Sequence, residues 1–124
     1  MTLQELYTEI DGDYARATAV LRIEKLIDKH IRRLPGNQIF TDLFDAAKTL
    51  DGARMFESAH AIKGVCGNLG LVKLAQVASD IAEEFRPGNP RRMTDGEVAE
   101  KVKQVEALYQ KAVAGIEKYE NAGV

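Results

Sequence analysis

The sequence predicts an all-α protein, an antiparallel up-and-down bundle of four main helices with one or two extra short helices at its N-terminus. Three observations carry this expectation. Apolar residues recur three and four apart through nearly the whole chain. No segment sustains a period of two, and the β-branched residues are scattered within helical patterns. The breaks between patterns are short, which favours antiparallel neighbours.

The elements follow in order. Thr2 and Glu5 have capping-box spacing, and residues 1–22 read as a helical extension broken at Asp11-Gly12-Asp13. Ile23, Leu26, Ile27, Ile31 and Leu34 then line one helix face, with His30 expected at the core edge with one ring nitrogen satisfied. Pro35-Gly36-Asn37 interrupts, and Asn37 is placed to cap a helix carrying Phe40, Leu43, Phe44, Ala47 and Leu50. The Asp51-Gly52 turn precedes a pattern of Met55, Ala59, Ile62, Val65, Cys66 and Leu69. Gly70 stands where a helix stop is expected, before Leu71, Leu74, Ala75, Ala78, Ile81, Ala82 and Phe85. Arg86-Pro87-Gly88-Asn89-Pro90 cannot continue a helix. Thr94 and Glu97 repeat the capping box, opening a long last helix on which Val98, Val102, Val105, Tyr109, Ala112, Ile116 and Tyr119 form a bundle seam. That helix has the length one intramolecular bundle helix needs, so a monomer is expected.

With 124 residues, 45% hydrophobic and 29% charged, the chain fits one domain over 1–124 with a real core. A net charge of −2 argues against a general nucleic-acid binder. One cysteine excludes an intramolecular disulfide and fits a reducing compartment. The start, MTLQELYTEI, lacks a basic, apolar signal segment, and no apolar run approaches the roughly 20 residues of a membrane span, so a cytoplasmic location is expected.

The chemistry concentrates in ARMFESAHAIKGVCGNL, residues 53–69. On a helical wheel Met55, Ile62, Val65, Cys66 and Leu69 lie within about 60° of the side opposite His60. Phe56, Lys63, Gly64 and Gly67 lie within about 60° of His60 itself. Packing does not explain a histidine turned from the core. Each glycine inside a helix costs ~1 kcal/mol relative to alanine, so Gly64 and Gly67 need a reason. Bare backbone beside an imidazole admits another protein; close packing of a neighbouring helix is the alternative, and the wheel disfavours it. Phe56 has two roles open to it, a docking contact for a partner or a residue tucked under the N-terminal helix. A neutral imidazole is a good nucleophile near pH 7, and a neighbouring ammonium favours that neutral form. Lys63 would also offset charge on a phosphoryl group attached to the ring. Phosphoryl transfer is mainly positioning and charge stabilisation, so an open helix face can support it if a partner supplies the rest. No phosphate-binding loop stands out: Gly64, Gly67 and Gly70 run along a helix. Cys66 sits about 120° round the helix from His60, out of reach as a partner. No metal-ligand spacing is recognised. Arg54 and Lys73 bracket the site helix and are expected to add positive potential.

The run His60-Ala61-Ile62-Lys63-Gly64, continued through Gly67-Asn68-Leu69-Gly70, resembles the signature of histidine-containing phosphotransfer (HPt) domains. The likeness is dense over 56–74 and loose over 13–85. It implies a four-helix bundle with the phosphorylated histidine on its second core helix, and a shuttle in a multistep phosphorelay. It further implies His60 as phospho-acceptor through Nε2 and Lys63 as charge partner. Gly64 and Gly67 become clearance positions, and Asn68 and Gly70 close the helix. The implied partners are response-regulator receiver domains or a sensor histidine kinase. The chain itself would carry no cofactor and no autokinase activity, with Mg²⁺ in the receiver. Two other readings stand beside the relay: a non-catalytic helical interaction module, and a chemotaxis-type domain phosphorylated directly by its kinase.

Overall fold

Seven helices and no strand make up residues 1–122, the part of the chain that the computed structural model describes. They are α1 (Leu3–Glu9), α2 (Tyr14–Leu21), α3 (Glu24–Ile31), α4 (Gln38–Thr49), α5 (Gly52–Asn68), α6 (Val72–Phe85) and α7 (Asp95–Ala122). Both capping boxes form: Thr2 and Glu5 exchange backbone–side-chain bonds at 2.9 and 3.1 Å, and so do Thr94 and Glu97 at 3.0 and 3.1 Å. Asn37 accepts from the Ile39 N–H at 3.1 Å, which starts α4 where the cap residue predicts.

The four long helices pack in a ring, α4 on α5, α5 on α6, α6 on α7 and α7 back on α4. The apolar faces read from the sequence meet inside it. Phe40, Leu43, Met55, Ile62, Cys66, Leu74, Ile81, Val105 and Ile116 are buried. Across the α4–α7 contact the rings of Phe40 and Tyr109 stack at 4.0 Å, while the Tyr109 hydroxyl accepts from the Gly36 N–H at 2.9 Å.

Residues 3–21 form α1 and α2, with the break at 10–13. Leu6 and Tyr7 of α1 are buried, and α1 packs on α7. Gly115 of α7 leaves room for this contact, since a Cβ there would collide with Ile10.

The helix after residue 22 departs from expectation. Only Ile27, Ile31 and Leu34 of the anticipated stripe are buried, whereas Ile23 and Leu26 are exposed. Ile23 is the extended N-cap of α3 and does not continue its face, and Leu26 lies about 100° from Ile27 on the wheel. His30 is exposed too, a correction to the core-edge placement. It stands one position short of Ile31, so its side chain leaves the buried arc and lines a surface cavity with Arg33, Asn37, Val65 and Asn68.

The turn between α5 and α6 is the tightest joint. Gly70 has φ +71°, its N–H donates to Gly67 O at 3.2 Å, and Leu71 N–H donates to Cys66 O at 2.9 Å. This is the Schellman arrangement that ends a helix with a left-handed residue. Gly70 O accepts from the Asp13 N–H at 2.7 Å, and a Cβ on Gly70 would run into the Asp13 carbonyl. The next connection, 86–94, is held by buried Glu84, whose carboxylate accepts from Arg91 Nε at 2.8 Å and from the Arg92 and Met93 N–H groups at 3.0 and 2.9 Å. Burial alone would raise the Glu84 pKa, but these donors outweigh it and hold the carboxyl below its ordinary value.

Two outcomes follow from these joints. Gly70→Ala should lower the free energy of urea unfolding by about 2 kcal/mol or more, because strain and collision coincide. Glu84 is more acidic folded than unfolded, so its contribution is complete above the unfolded value of about 4.3 and is lost as pH falls through the lower folded value. The stability gap between the wild type and Glu84→Gln, measured in urea at a series of pH values, should therefore close on acidification below about pH 4.

Candidate functional site

Helix α5 presents two opposed faces. Asp51 starts it by accepting from the Arg54 N–H at 3.3 Å, and the Gly70 turn ends it. Met55, Ser58, Ala59, Ile62 and Cys66 are buried, with the Ser58 hydroxyl donating back to Arg54 O at 2.7 Å. Val65 is half-buried. Burial pushes the Cys66 thiol up to about 12, so it is inert as a nucleophile near neutral pH.

The other face is open. His60, Lys63 and Gly64 are exposed and Gly67 is half-buried. A Cβ built on Gly64 or Gly67 meets nothing within 4 Å. The glycines therefore serve no internal helix packing, and they leave a bare strip of backbone running from His60 toward the end of α5. Asn68 is exposed on the last turn, and buried Gly70 is the left-handed residue beyond it.

Phe56 lies one turn before His60 on α5. It is half-buried and stacks on His60, with ring centres 5.5 Å apart and planes 19° from parallel. The Arg86 guanidinium lies over the same ring at 5.1 Å. Phe56 thus packs toward the end of α6, while α1 packs on α7.

Two residues near His60 went unrecognised in the sequence, Glu83 and Arg86. α6 runs back along α5, so Phe85 faces Gly52, where a Cβ would touch its ring at 3.3 Å, and Arg86 reaches Phe56 one turn on. Glu83 is bound by Arg86 at 2.8 Å. Its carboxyl is held below the ordinary value by the hydrogen bond from Arg86, which outweighs the opposing effect of burial, with smaller contributions from the nearby positive charges. The sole sequence signal was an oppositely charged pair three residues apart at a helix end, which is common on solvated helices. Lys73, expected to add positive potential, instead pairs with Asp11 at 3.4 Å. Among the described residues no group of three His, Cys, Asp or Glu is placed to hold a metal ion, and no helix is long and apolar enough to cross a membrane.

The arrangement can present one imidazole to a large partner, with a cation one turn along and nothing on the glycine strip to obstruct approach. An imidazole exposed on an open helix face is suited to meeting another macromolecule. In comparisons with known proteins, the family model for the Hpt domain matches residues 3–115. No curated protein and no solved structure gives a match.

Because the added methyl groups meet open space on a helix, Gly64→Ala and Gly67→Ala should each raise unfolding free energy by about 1 kcal/mol. A loss of stability in urea titrations of either variant would mean that the strip is packed against something.

Proposed function

This chain belongs to the Hpt domain family, and on that premise we propose that His60 accepts a phosphoryl group through Nε2 and passes it on in a multistep phosphorelay. Hpt domains are the histidine phosphotransfer units of two-component phosphorelays; they carry phosphoryl groups without catalysing their transfer, and the family interacts with receiver domains and kinases. The observation that carries the reading for this chain is the outward imidazole of His60 beside Lys63 and the unobstructed glycine strip.

The step is an in-line attack. The Nε2 lone pair of a neutral His60 attacks the phosphorus of an aspartyl phosphate on a receiver domain. The P–N bond forms as the P–O bond breaks, and the aspartate carboxylate leaves with the bonding electron pair. The ring gains positive charge, and its Nδ1 proton is free to pass to water. A second receiver takes the group by the reverse of this step. Lys63 stabilises charge on the phosphoryl oxygens. Phe56 and the bare backbone at Gly64 and Gly67 receive the partner's surface, and Asn68 with Gly70 closes the helix that holds His60. Mg²⁺ resides in the receiver, and this chain needs no cofactor and has no autokinase activity. The ring of α4 to α7 is read as an antiparallel up-and-down four-helix bundle, with 1–22 as an extension packed on it. The whole acts as one cytoplasmic, monomeric domain.

The test mixes the protein with phosphorylated receiver domains and follows label. Acid-labile, alkali-stable label is expected on the wild type and absent from His60→Gln; equal labelling of that variant would remove the proposal. Label arriving only from a kinase would favour a chemotaxis-type donor, and label from neither would leave a non-catalytic interaction module. Lys63→Ala should slow transfer or shorten the phosphohistidine lifetime by about tenfold, the effect of one charge-assisted contact. No change in either rate would make Lys63 a solubilising residue only.

A further inference from the structure

The cluster at the end of α6 bears on what happens after His60 is phosphorylated. Arg86 is the residue at which the chain leaves α6. Its Nε donates to both Glu83 carboxylate oxygens at 3.1 and 3.2 Å, and its Nη2 donates to Oε1 at 2.8 Å. These bonds reach back three residues along its own helix, so they tie no two elements together. Arg91 differs, because its bond to Glu84 pins a loop. The pair is also wet, with side chains 39% and 51% exposed, and such pairs contribute little to stability. Its location is its distinctive feature. The guanidinium rests on the ring of Phe56, and that ring rests on His60.

We propose that Arg86 is a second phosphoryl-binding residue, held in reserve by Glu83, and that phosphorylation of His60 transfers its guanidinium from the Glu83 carboxylate to the phosphoryl oxygens. The idea rests on His60 being the acceptor. A phosphoryl group carries about twice the charge of a carboxylate and presents three oxygens, so it competes well for a planar, bidentate donor. The exchange needs rotation of one long side chain across the face of Phe56, which stays beneath it throughout. Glu83 opposes a negative group on His60, being close enough for the His60 and Lys63 charges to act on its carboxyl. Releasing Arg86 therefore lets that carboxylate turn away. In the unphosphorylated state the Glu83–Arg86 pair presents little net charge beside the imidazole. After transfer, two cations flank the phosphoryl group. Their strength then sets how long the group waits for its next acceptor.

The experiment uses the full chain phosphorylated on His60 and reads phosphohistidine lifetime by ³¹P NMR, with the Arg86 Nε–H resonance followed in ¹⁵N-labelled protein. Phosphorylation should shift the Nε–H resonance strongly. Arg86→Gln should shorten the lifetime severalfold, and Arg86→Lys should restore part of it. Glu83→Gln should lengthen the lifetime, and this gain should disappear when Arg86→Gln is present. An equal gain in both backgrounds would reduce Glu83 to simple repulsion and overturn the exchange. So would an unmoved Nε–H resonance, or an Arg86→Gln variant whose lifetime matches the wild type. Failure to label His60 at all would instead overturn the parent reading and this one together, whereas a labelled His60 indifferent to Arg86 overturns this one alone.

Discussion

The site depends on the reversal of the chain at Gly70. There the helix that carries His60 ends in a left-handed residue, and the next helix begins within two residues. Three contacts converge on that point from the N-terminal segment: Asp13 N–H on Gly70 O, the Asp13 carbonyl against the space where a side chain would be, and the Tyr7 hydroxyl on Leu69 O at 2.6 Å. Because the turn is short and fully hydrogen-bonded, α6 has little choice but to run back along α5. That return brings Glu83 and Arg86 beside Phe56 and His60. The geometry around the imidazole is therefore set some ten residues away from it.

A second consequence concerns the division of labour around α5. Its buried face is continuous and apolar, with Cys66 inert within it. Its outer face gives up helix propensity at Gly64 and Gly67, roughly 2 kcal/mol in all. No contact among the described residues recovers that cost, since both positions look onto open space. The surrounding joints supply the rigidity that two glycines would otherwise remove. The caps at Asp51 and Gly70 hold the helix ends, and packing on α4 and α6 holds its flanks.

Elements with long repeats and strong caps were legible in the sequence, and a short one was not. α7, with its seam from Val98 to Tyr119, and α4, capped by Asn37, fall where the pattern puts them. α3 has eight residues, too few for a stripe to be told from neighbouring apolar residues. Ile23, Leu26 and His30 share the short apolar pattern of this segment yet stand in solvent. At the site, the orientation of His60, Lys63, Gly64 and Gly67 followed from their spacing on one helix. Phe56 lay on the same face, yet its neighbour Arg86 belongs to another element.

The sequence by itself determined the long helices, the outward direction of His60 and the family, because each of these follows from the order of residues along one segment. Tertiary structure alone decided that Gly70 must lack a side chain for the sake of Asp13, that Lys73 is engaged by Asp11, and that Glu83 and Arg86 lie beside His60. Periodicity records which face of a helix is apolar. It carries no information about which residues of a second helix arrive beside it, since that depends on the direction and register of their packing.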